Sequence, residues 1–128
     1  MKIAVVGSRN FINKDFIETI MSIHFNIHHD DILVSGGAKG VDSIAEEIVK
    51  EWNNNYHFYA NNPKQFKKII FKPDWNKYGK SAGFIRNKLI INEAELVLAF
   101  WDGKSKGTKH SIDLAIKAGK PIDIYIRS

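Results

Sequence analysis

The sequence contains no cysteine, and no apolar run in it is long enough to cross a bilayer. The missing thiols exclude disulfide bonds, thiolate metal sites and a cysteine nucleophile. They also fit a cytoplasmic protein, so we expect a cytoplasmic chain with no membrane partner. The first residues, MKIAVVGSRNF, hold one lysine and a short apolar run that ends in a turn. This pattern predicts a buried first strand and not a signal peptide.

Acidic residues are the scarcer charged class. The chain has 14 Asp and Glu against 19 Lys and Arg, which gives a formal net charge of +5. Such an excess favours anionic partners such as nucleotides or nucleic acid, although it also serves solubility alone. The 128 residues, of which 44% are hydrophobic, suit one hydrophobic core. We therefore expect a single domain over 1–128.

Buried-strand patterns alternate with helical periodicity along the chain. Apolar residues at three-and-four spacing predict four helices, at 13–27, from 41 to 52, from about Ser81, and at 108–117 with Gly119 as the C-cap. Short apolar runs closed by turn residues predict strands at 2–6, 32–35, 68–72, 96–101 and 121–126. Alternation of this kind implies right-handed crossovers. The predicted fold class is α/β, a Rossmann-like doubly wound sheet of about five mainly parallel strands with helices on both faces.

One segment breaks this rhythm. Residues 53–67 read NNNYHFYANNPKQFK, which is polar and rich in asparagine yet carries four aromatic side chains. Long polar stretches in compact domains are often functional or mobile loops. We predict a polar surface insertion here, and its aromatic residues leave self-association into a homodimer or a higher oligomer open.

Four loops are selected by a rule for open parallel sheets, in which ligands bind beyond the carboxyl ends of the strands where strand order reverses. They lie at 7–11, 35–42, 73–86 and 101–108. Backbone N–H groups at a glycine turn that begins a helix can donate hydrogen bonds to phosphate. The Ser8 hydroxyl and the Arg9 guanidinium would add further donors to the same phosphate. The predicted ligand-binding residues are Gly7, Ser8, Arg9, Ser35, Gly36, Gly37, Ala38, Gly40, Asp42, Asp74, Trp75, Tyr78, Gly83, Arg86, Asn87, Trp101, Asp102, Gly103, Ser105, Gly107 and Thr108.

Several of these residues have a second interpretation. Asp42 either caps its helix or accepts from a ribose hydroxyl or a base amine. Trp75 and Tyr78 either stack on a base or cover the core. The triplet GKS at 103–105 is not a Walker A loop, because that motif needs glycine where the chain has Leu98. The segment VGSRNF does not match the G-x-G-x-x-G fingerprint, which argues against an ordinary NAD dehydrogenase.

Four segments together resemble a known family. They are GSRNF at 7–11, SGGAKGVDSIAEE at 35–47, DWNKYGKSAGFIRN at 74–87 and AFWDGKSKGTKHSI at 99–112. In this order they resemble the SLOG superfamily, specifically its YpsA-like and YspA-related branch. That superfamily is similar in fold to DNA-processing protein A, which handles single-stranded DNA, and to the LOG phosphoribohydrolases. The resemblance implies a Rossmann-like pocket for nucleotides or nucleotide-derived ligands, including ADP-ribose-like signals.

The chain departs from the LOG enzymes at their signature, P-G-G-x-G-T-x-x-E. The matching stretch here is WDGKSKGTKHS, so Ser111 stands where the glutamate belongs, and Trp101 and Asp102 differ as well. A serine hydroxyl cannot stabilise an oxocarbenium-like centre as a carboxylate does. We therefore expect no LOG-type hydrolysis. If the chain is a hydrolase of another kind, Asp42 or Asp102 would supply its carboxylate. Arg86 matches an arginine of those enzymes and is expected to hold a phosphate.

Three functions follow as hypotheses. The first is a module that binds a nucleotide, an ADP-ribose-like or cyclic nucleotide signal, as a sensor or a sequestering protein, with no cofactor required. Its phosphates would lie on the amides of 36–40 and 103–108, its ribose near Asp42 or Asp102, and its base against Trp75 or Trp101. The second is an N-glycosidic or phosphoribosyl hydrolase, and the third is a single-stranded DNA binder. We expect no metal site, because His24 and His28 end a helix away from the glycine loops.

Overall fold

The computed structural model describes residues 1–59 and 65–127. This part of the chain has five strands separated by five α-helices, two of which lie between the third and fourth strands, with short 3-10 turns at Ile27–His29 and Gly79–Ser81. The strands are β1 (Lys2–Gly7), β2 (Ile32–Ser35), β3 (Lys67–Ile70), β4 (Leu96–Trp101) and β5 (Ile122–Ile126). The helices are α1 (Lys14–His24), α2 (Val41–Tyr59), α3 (Trp75–Tyr78), α4 (Ala82–Glu93) and α5 (Lys106–Lys117). No described helix is long and apolar enough to cross a membrane.

The strands form one parallel sheet in the order β3-β2-β1-β4-β5, which confirms the predicted fold class. The chain adds β2 and β3 on one side of β1 and then returns to add β4 and β5 on the other side. The strand order therefore reverses between β1 and β4. This reversal is the place where open parallel sheets bind their ligands.

Side chains of β1 alternate between two cores on opposite faces of the sheet. Ile3 and Val5 pack with α1 and α2, while Ala4 and Val6 pack with α4 and α5. Successive side chains of a strand point to opposite faces, so a strand covered on both faces reads as a continuous apolar run. Each large side chain buried in this way contributes about 1.5–3 kcal/mol to stability.

Helix α2 is longer than the sequence predicts. It continues to Tyr59, so the prediction of a polar loop is wrong for 53–59, while 60–64 lie outside the described residues. Asn53 explains part of the difference, because its side-chain amide donates to the Phe66 carbonyl and accepts from the Phe66 N–H, at 3.1 and 2.7 Å. The Phe66 ring is buried against Phe25 and Trp52. These contacts tie α2 to the start of β3.

Other boundaries differ by a few residues. Helix α1 begins after Asn13, whose side chain accepts from the Phe16 N–H at 3.1 Å as predicted, but it ends at His24 and not at Ile27. Helix α5 begins at Lys106, two residues before the predicted start, because the Ser105 hydroxyl caps it. The short helix α3 lies inside a predicted loop, capped by the Asp74 side chain.

Gly40 offers a direct test of how tightly the loops close. A Cβ at this position would lie 2.5 Å from the Arg9 Cα and 2.7 Å from two backbone oxygens, and its φ is +81°. We expect Gly40→Ala to lower the free energy of unfolding by at least about 2 kcal/mol. Urea unfolding measures this loss.

Gly107→Ala is the matched control, because a Cβ there meets nothing within 4 Å and the residue lies in the first turn of α5. We expect it to leave stability unchanged or to raise it by up to about 1 kcal/mol. Equal losses in the two variants would contradict the close approach of the loops at 8–9 and 40.

Candidate nucleotide-binding cleft

A cleft of about 510 Å³ lies at the carboxyl ends of β1 and β4, where the strand order reverses. Ten of the predicted residues line it, together with six others. The predicted residues are Gly7, Arg9, Ala38, Asp42, Arg86, Asn87, Asp102, Ser105, Gly107 and Thr108. The others are Val6, Asn10, Lys39, Ile90, Lys104 and Ser111.

Ser8 lies beneath the cleft and not in its wall. Its hydroxyl is within hydrogen-bond distance of the Thr108 hydroxyl, at 3.2 Å, and accepts from the Asp102 N–H at 3.1 Å. Ser8 and Thr108 are both buried. The hydroxyl predicted to contact a ligand therefore joins the loops after β1 and β4 to the start of α5.

Asp42 organises the glycine loop that precedes α2. Its carboxylate accepts from the Ala38 N–H at 3.2 Å, and the Gly36 N–H also donates to it. These amides were expected to hold phosphate, and the structure gives two of them to the protein's own carboxylate. These contacts differ from the helix cap drawn from the sequence, because the carboxylate bonds N–H groups of the loop before α2 and not those of the first turn of α2.

Burial decides the ionisation of Asp42. Desolvation raises the pKa of this carboxyl to about 6, outweighing the bonds from Ala38 and Gly36 and the charge of Arg86, all of which lower it. The charge of Glu46 adds to the upward shift. Asp42 therefore changes charge close to neutral pH at the edge of the cleft.

Asp102 plays the same organising role on the other side. Its Oδ1 accepts from the N–H groups of Lys104 and Ser105 at 2.8 and 2.7 Å, and these bonds, that from Ser105 first, lower its pKa. The carboxylate is thus ionised at neutral pH. Within the expected amide site at 103–108, the N–H groups of Lys104 and Ser105 are thus taken by Asp102, and that of Thr108 donates to the Ser105 hydroxyl. The first-turn N–H groups of Lys106 and Gly107 have no partner within the helix.

Arg86 and Asn87, both on α4, are held by hydrogen bonds at the cleft wall. Arg86 Nη1 donates to the Gly36 carbonyl at 2.8 Å, and Nε donates to Asn87 Oδ1 at 3.0 Å. Asn87 Nδ2 lies 3.2 Å from His110 Nδ1 and donates to the Gly107 carbonyl at 3.4 Å. Burial lowers the pKa of both Arg86 and His110.

Gly36 has no room for a side chain, because a Cβ there would lie 2.6 Å from Arg86 Nη1 and 2.9 Å from Asp42 Oδ2. The bare glycine therefore lets this guanidinium and this carboxylate approach each other. A glycine turn suggests that some group closely approaches the backbone, and at Gly36 that group is the protein's own Arg86 and Asp42 side chains.

Cations outnumber carboxylates in the cleft. Arg9, Lys39 and Lys104 are exposed at its rim, and Arg86 is half-buried in its wall. Arg9 and Arg86 both line this cleft, and the charge of Arg9 adds to the effect of burial in lowering the pKa of Arg86. Positive charges gathered around a cleft raise the local concentration of anions. The arrangement can bind phosphate groups through side chains.

The remaining predicted residues lie outside the cleft lining. Ser35 is buried and donates to Glu46 at 3.1 Å, and Asp74 accepts from the Lys77 N–H at 3.1 Å. Trp101 Nε1 donates to the Ser105 carbonyl at 3.0 Å. The others that do not line the cleft are Gly36, Gly37, Gly40, Trp75, Tyr78, Gly83 and Gly103.

The aromatic residues of the third loop do not belong to the core. Trp75 is 56% and Tyr78 41% exposed, so packing of the core does not account for them. A Cβ on Gly83 would lie 3.7 Å from the Trp75 ring and 4.0 Å from Arg86 Nη2. The Trp75 indole and the Arg86 guanidinium therefore both approach Gly83.

Sequence reasoning missed Asn10, Lys39 and Lys104 as lining residues. All three lie inside the selected loops, next to predicted residues. For the two lysines, the signal that would have identified them is a cation placed between two residues of a glycine-rich turn. Within residues 1–59 and 65–127, no three His, Asp or Glu side chains are grouped to hold a metal ion.

The comparisons with known proteins include a phage relative and a solved bacterial structure. The Gene 61 protein of Mycobacterium phage D29 is 30% identical over 125 residues, which cover 94% of this chain and 93% of the phage protein. The chain belongs to the family of this phage protein. DNA processing protein A from Helicobacter pylori superposes with a TM-score of 0.67 and 26% identity. No family model matches the chain.

The superposition covers 97% of this chain and 64% of the Helicobacter protein, so the chain spans less than two thirds of that neighbour. The neighbour's structure was solved for its single-stranded DNA binding mode. The fold of the DNA-processing-protein-A type, expected from the resemblance, is confirmed.

Asp42 gives a prediction about pH. Its folded pKa of about 6 exceeds the unfolded value near 3.9, so the folded state binds the extra proton between these values. The stability from this group is fully present below about pH 4 and is lost as pH rises through 6. Asp42→Asn cannot ionise, so we expect its stability relative to the parent to rise by about 1–3 kcal/mol between pH 4 and pH 7.

Urea unfolding of both proteins at several pH values measures that difference. Asp113→Asn is the control, because Asp113 is exposed and forms a surface ion pair with Lys109 across one turn of α5. A stability difference for Asp42→Asn that stays constant from pH 4 to pH 7 would show that burial does not govern this carboxyl.

Proposed function

We propose that the chain binds single-stranded DNA, with the strand's phosphates in the cleft at the ends of β1 and β4. The observation that carries the proposal is the group of four cations around this cleft, Arg9, Lys39, Arg86 and Lys104. The similarity to DNA processing protein A, a single-stranded DNA binder, favours nucleic acid over other anions. This places the third hypothesis from the sequence above the first.

Phosphate contacts are assigned first to the rim. Arg9, Lys39 and Lys104 are exposed, so their charged groups can reach a backbone without breaking an internal contact. The first-turn N–H groups of Lys106 and Gly107 add neutral donors at the N-terminus of α5. Arg86 acts from the wall, where its bond to Gly36 holds the guanidinium in place.

Base contacts are assigned to the exposed aromatics next to the cleft. Trp75 approaches Gly83, as the Arg86 guanidinium does, and Tyr78 follows on the same short helix with the Lys77 ammonium 5.1 Å from its ring centre. Stacking of a base on an aromatic ring is worth about 1–3 kcal/mol and tolerates any sequence. Binding through phosphates and stacking would therefore show little sequence preference.

The proposal includes binding without bond cleavage and without a cofactor. Ser111 lines the cleft where the LOG pattern has its glutamate. Asp42 and Asp102 are engaged with backbone N–H groups of their own loops. We assign the chain to the YpsA-like and YspA-related branch of the SLOG superfamily and treat 1–128 as one domain on the same grounds of resemblance.

A nucleotide-derived small molecule is the second candidate, and the size of the cleft favours it. About 510 Å³ lies within the range of pockets that enclose small ligands, roughly 300–1,000 Å³. Half-buried Arg86 could hold a phosphate, and Asp42 could accept from a ribose hydroxyl. Competition separates the two candidates. If DNA is the ligand, excess ADP-ribose or AMP will not displace a bound oligothymidylate completely at low salt.

Arg9→Gln tests the proposed function. Arg9 is exposed and lines the cleft, so the substitution removes a charge with little structural cost. We expect affinity for a twelve-nucleotide oligothymidylate to fall about threefold to tenfold and the slope of log K against log salt to fall by about 0.7. Fluorescence anisotropy at several salt concentrations measures both.

Lys117→Gln is the control, because it removes the same charge from the last turn of α5, at the other end of the sheet. It should leave affinity and salt slope close to those of the parent. Equal effects of the two variants would mean that DNA binds by net charge alone and not in the cleft.

A further inference from the structure

A second cavity of about 470 Å³ adjoins the cleft. The two share Asn10, Asp102 and Lys104, which form the boundary between them. The second cavity adds Ile12 and Asn13 from the start of α1 and Arg127 from the end of β5. None of these three residues was selected from the sequence as part of a binding site.

The two cavities lie on opposite sides of the sheet edge. The cleft faces α4 and α5 through Arg86, Asn87 and Thr108, whereas the second cavity faces α1. The loops after β1 and β4 pass between them. Together they form a track that crosses the carboxyl ends of β1 and β4 from one face of the sheet to the other.

Arg127 gives the second cavity its own positive charge. Its guanidinium lies 4.7 Å from the centre of the Phe16 ring, so the ring supports the group without neutralising it. Lys104 contributes a second cation at the boundary, while Asp102 has its Oδ1 bonded to two N–H groups. Ile12, which is 71% exposed, provides apolar surface beside these charges.

We propose that the second cavity binds the neighbouring nucleotide of the same DNA strand, so that the site takes at least two linked nucleotides. This inference rests on the proposed function. Lys104 contacts the phosphate between the two nucleotides, Arg127 contacts the next phosphate, and the exposed Ile12 side chain packs against the sugar or base. A mononucleotide cannot occupy both cavities, so affinity depends on length in a way that Arg127 controls.

Affinity as a function of ligand length tests this assignment. Calorimetry compares thymidine 5′-monophosphate with oligothymidylates of two, four and eight nucleotides on the parent, Arg127→Gln and Lys117→Gln. We expect parent affinity to rise between one and four nucleotides. Arg127→Gln should lower affinity for the tetranucleotide about threefold to tenfold and leave affinity for the monophosphate unchanged. Its slope of log K against log salt for the tetranucleotide should fall by about 0.7. Lys117→Gln should behave as the parent.

Arg127→Lys guards against a structural effect of losing the contact with Phe16. It keeps the charge, so it should keep the salt slope of the parent, and urea unfolding of both variants measures any loss of stability. If Arg127→Gln binds the tetranucleotide as tightly as Lys117→Gln does, the second cavity is not part of the track.

The proposed function survives that result if Arg9→Gln still weakens oligonucleotide binding. If the parent protein does not bind oligonucleotides, both proposals are overturned.

Discussion

The reversal of strand order beside β1 is the constraint on which the site depends. It brings the loop after β1 against those after β2 and β4, and Gly7 sets how closely they meet. A Cβ on Gly7 would lie 2.5 Å from both the Phe100 carbonyl oxygen and Val41 Cγ2, so only glycine lets the end of β1 pack against β4 and α2. The two cores on the faces of the sheet hold these elements rigidly, and the cleft forms where the loops part.

The carboxylates and the cations at this edge have different tasks. Asp42 and Asp102 bond the N–H groups of the loops that carry them, and thereby fix the shape of the cleft. Arg9, Lys39 and Lys104 remain exposed. Under the proposed function, side chains therefore recognise the anion in place of these main-chain N–H groups. Side-chain cations contact a flexible phosphate backbone without demanding one geometry, which suits a strand better than a single buried phosphate.

The sequence was sufficient for the order of the strands and the four longer helices and for the parallel sheet, because hydrophobic periodicity is a local property of the sequence. It did not predict the short helix α3. The end of α2 was not predictable in this way, since asparagine disfavours helices locally and Asn53 is held by Phe66, thirteen residues later. The partners of Asp42, Asp102 and Ser8 were also missed. Which N–H a side chain reaches depends on loop conformation, and residue type alone does not specify it. Arg127 could not be predicted from the sequence as a site residue, because only the fold brings the end of β5 next to the start of α1.

The most direct test of the central claim is a titration of isotope-labelled protein with an oligothymidylate, followed by backbone amide chemical shifts. The account predicts that shift changes concentrate at 9–13, 38–40, 86–87 and 102–108 and at Arg127, the residues around the two cavities at the carboxyl ends of β1 and β4. Changes confined to the opposite end of the sheet, or to the edge formed by β3, would contradict it.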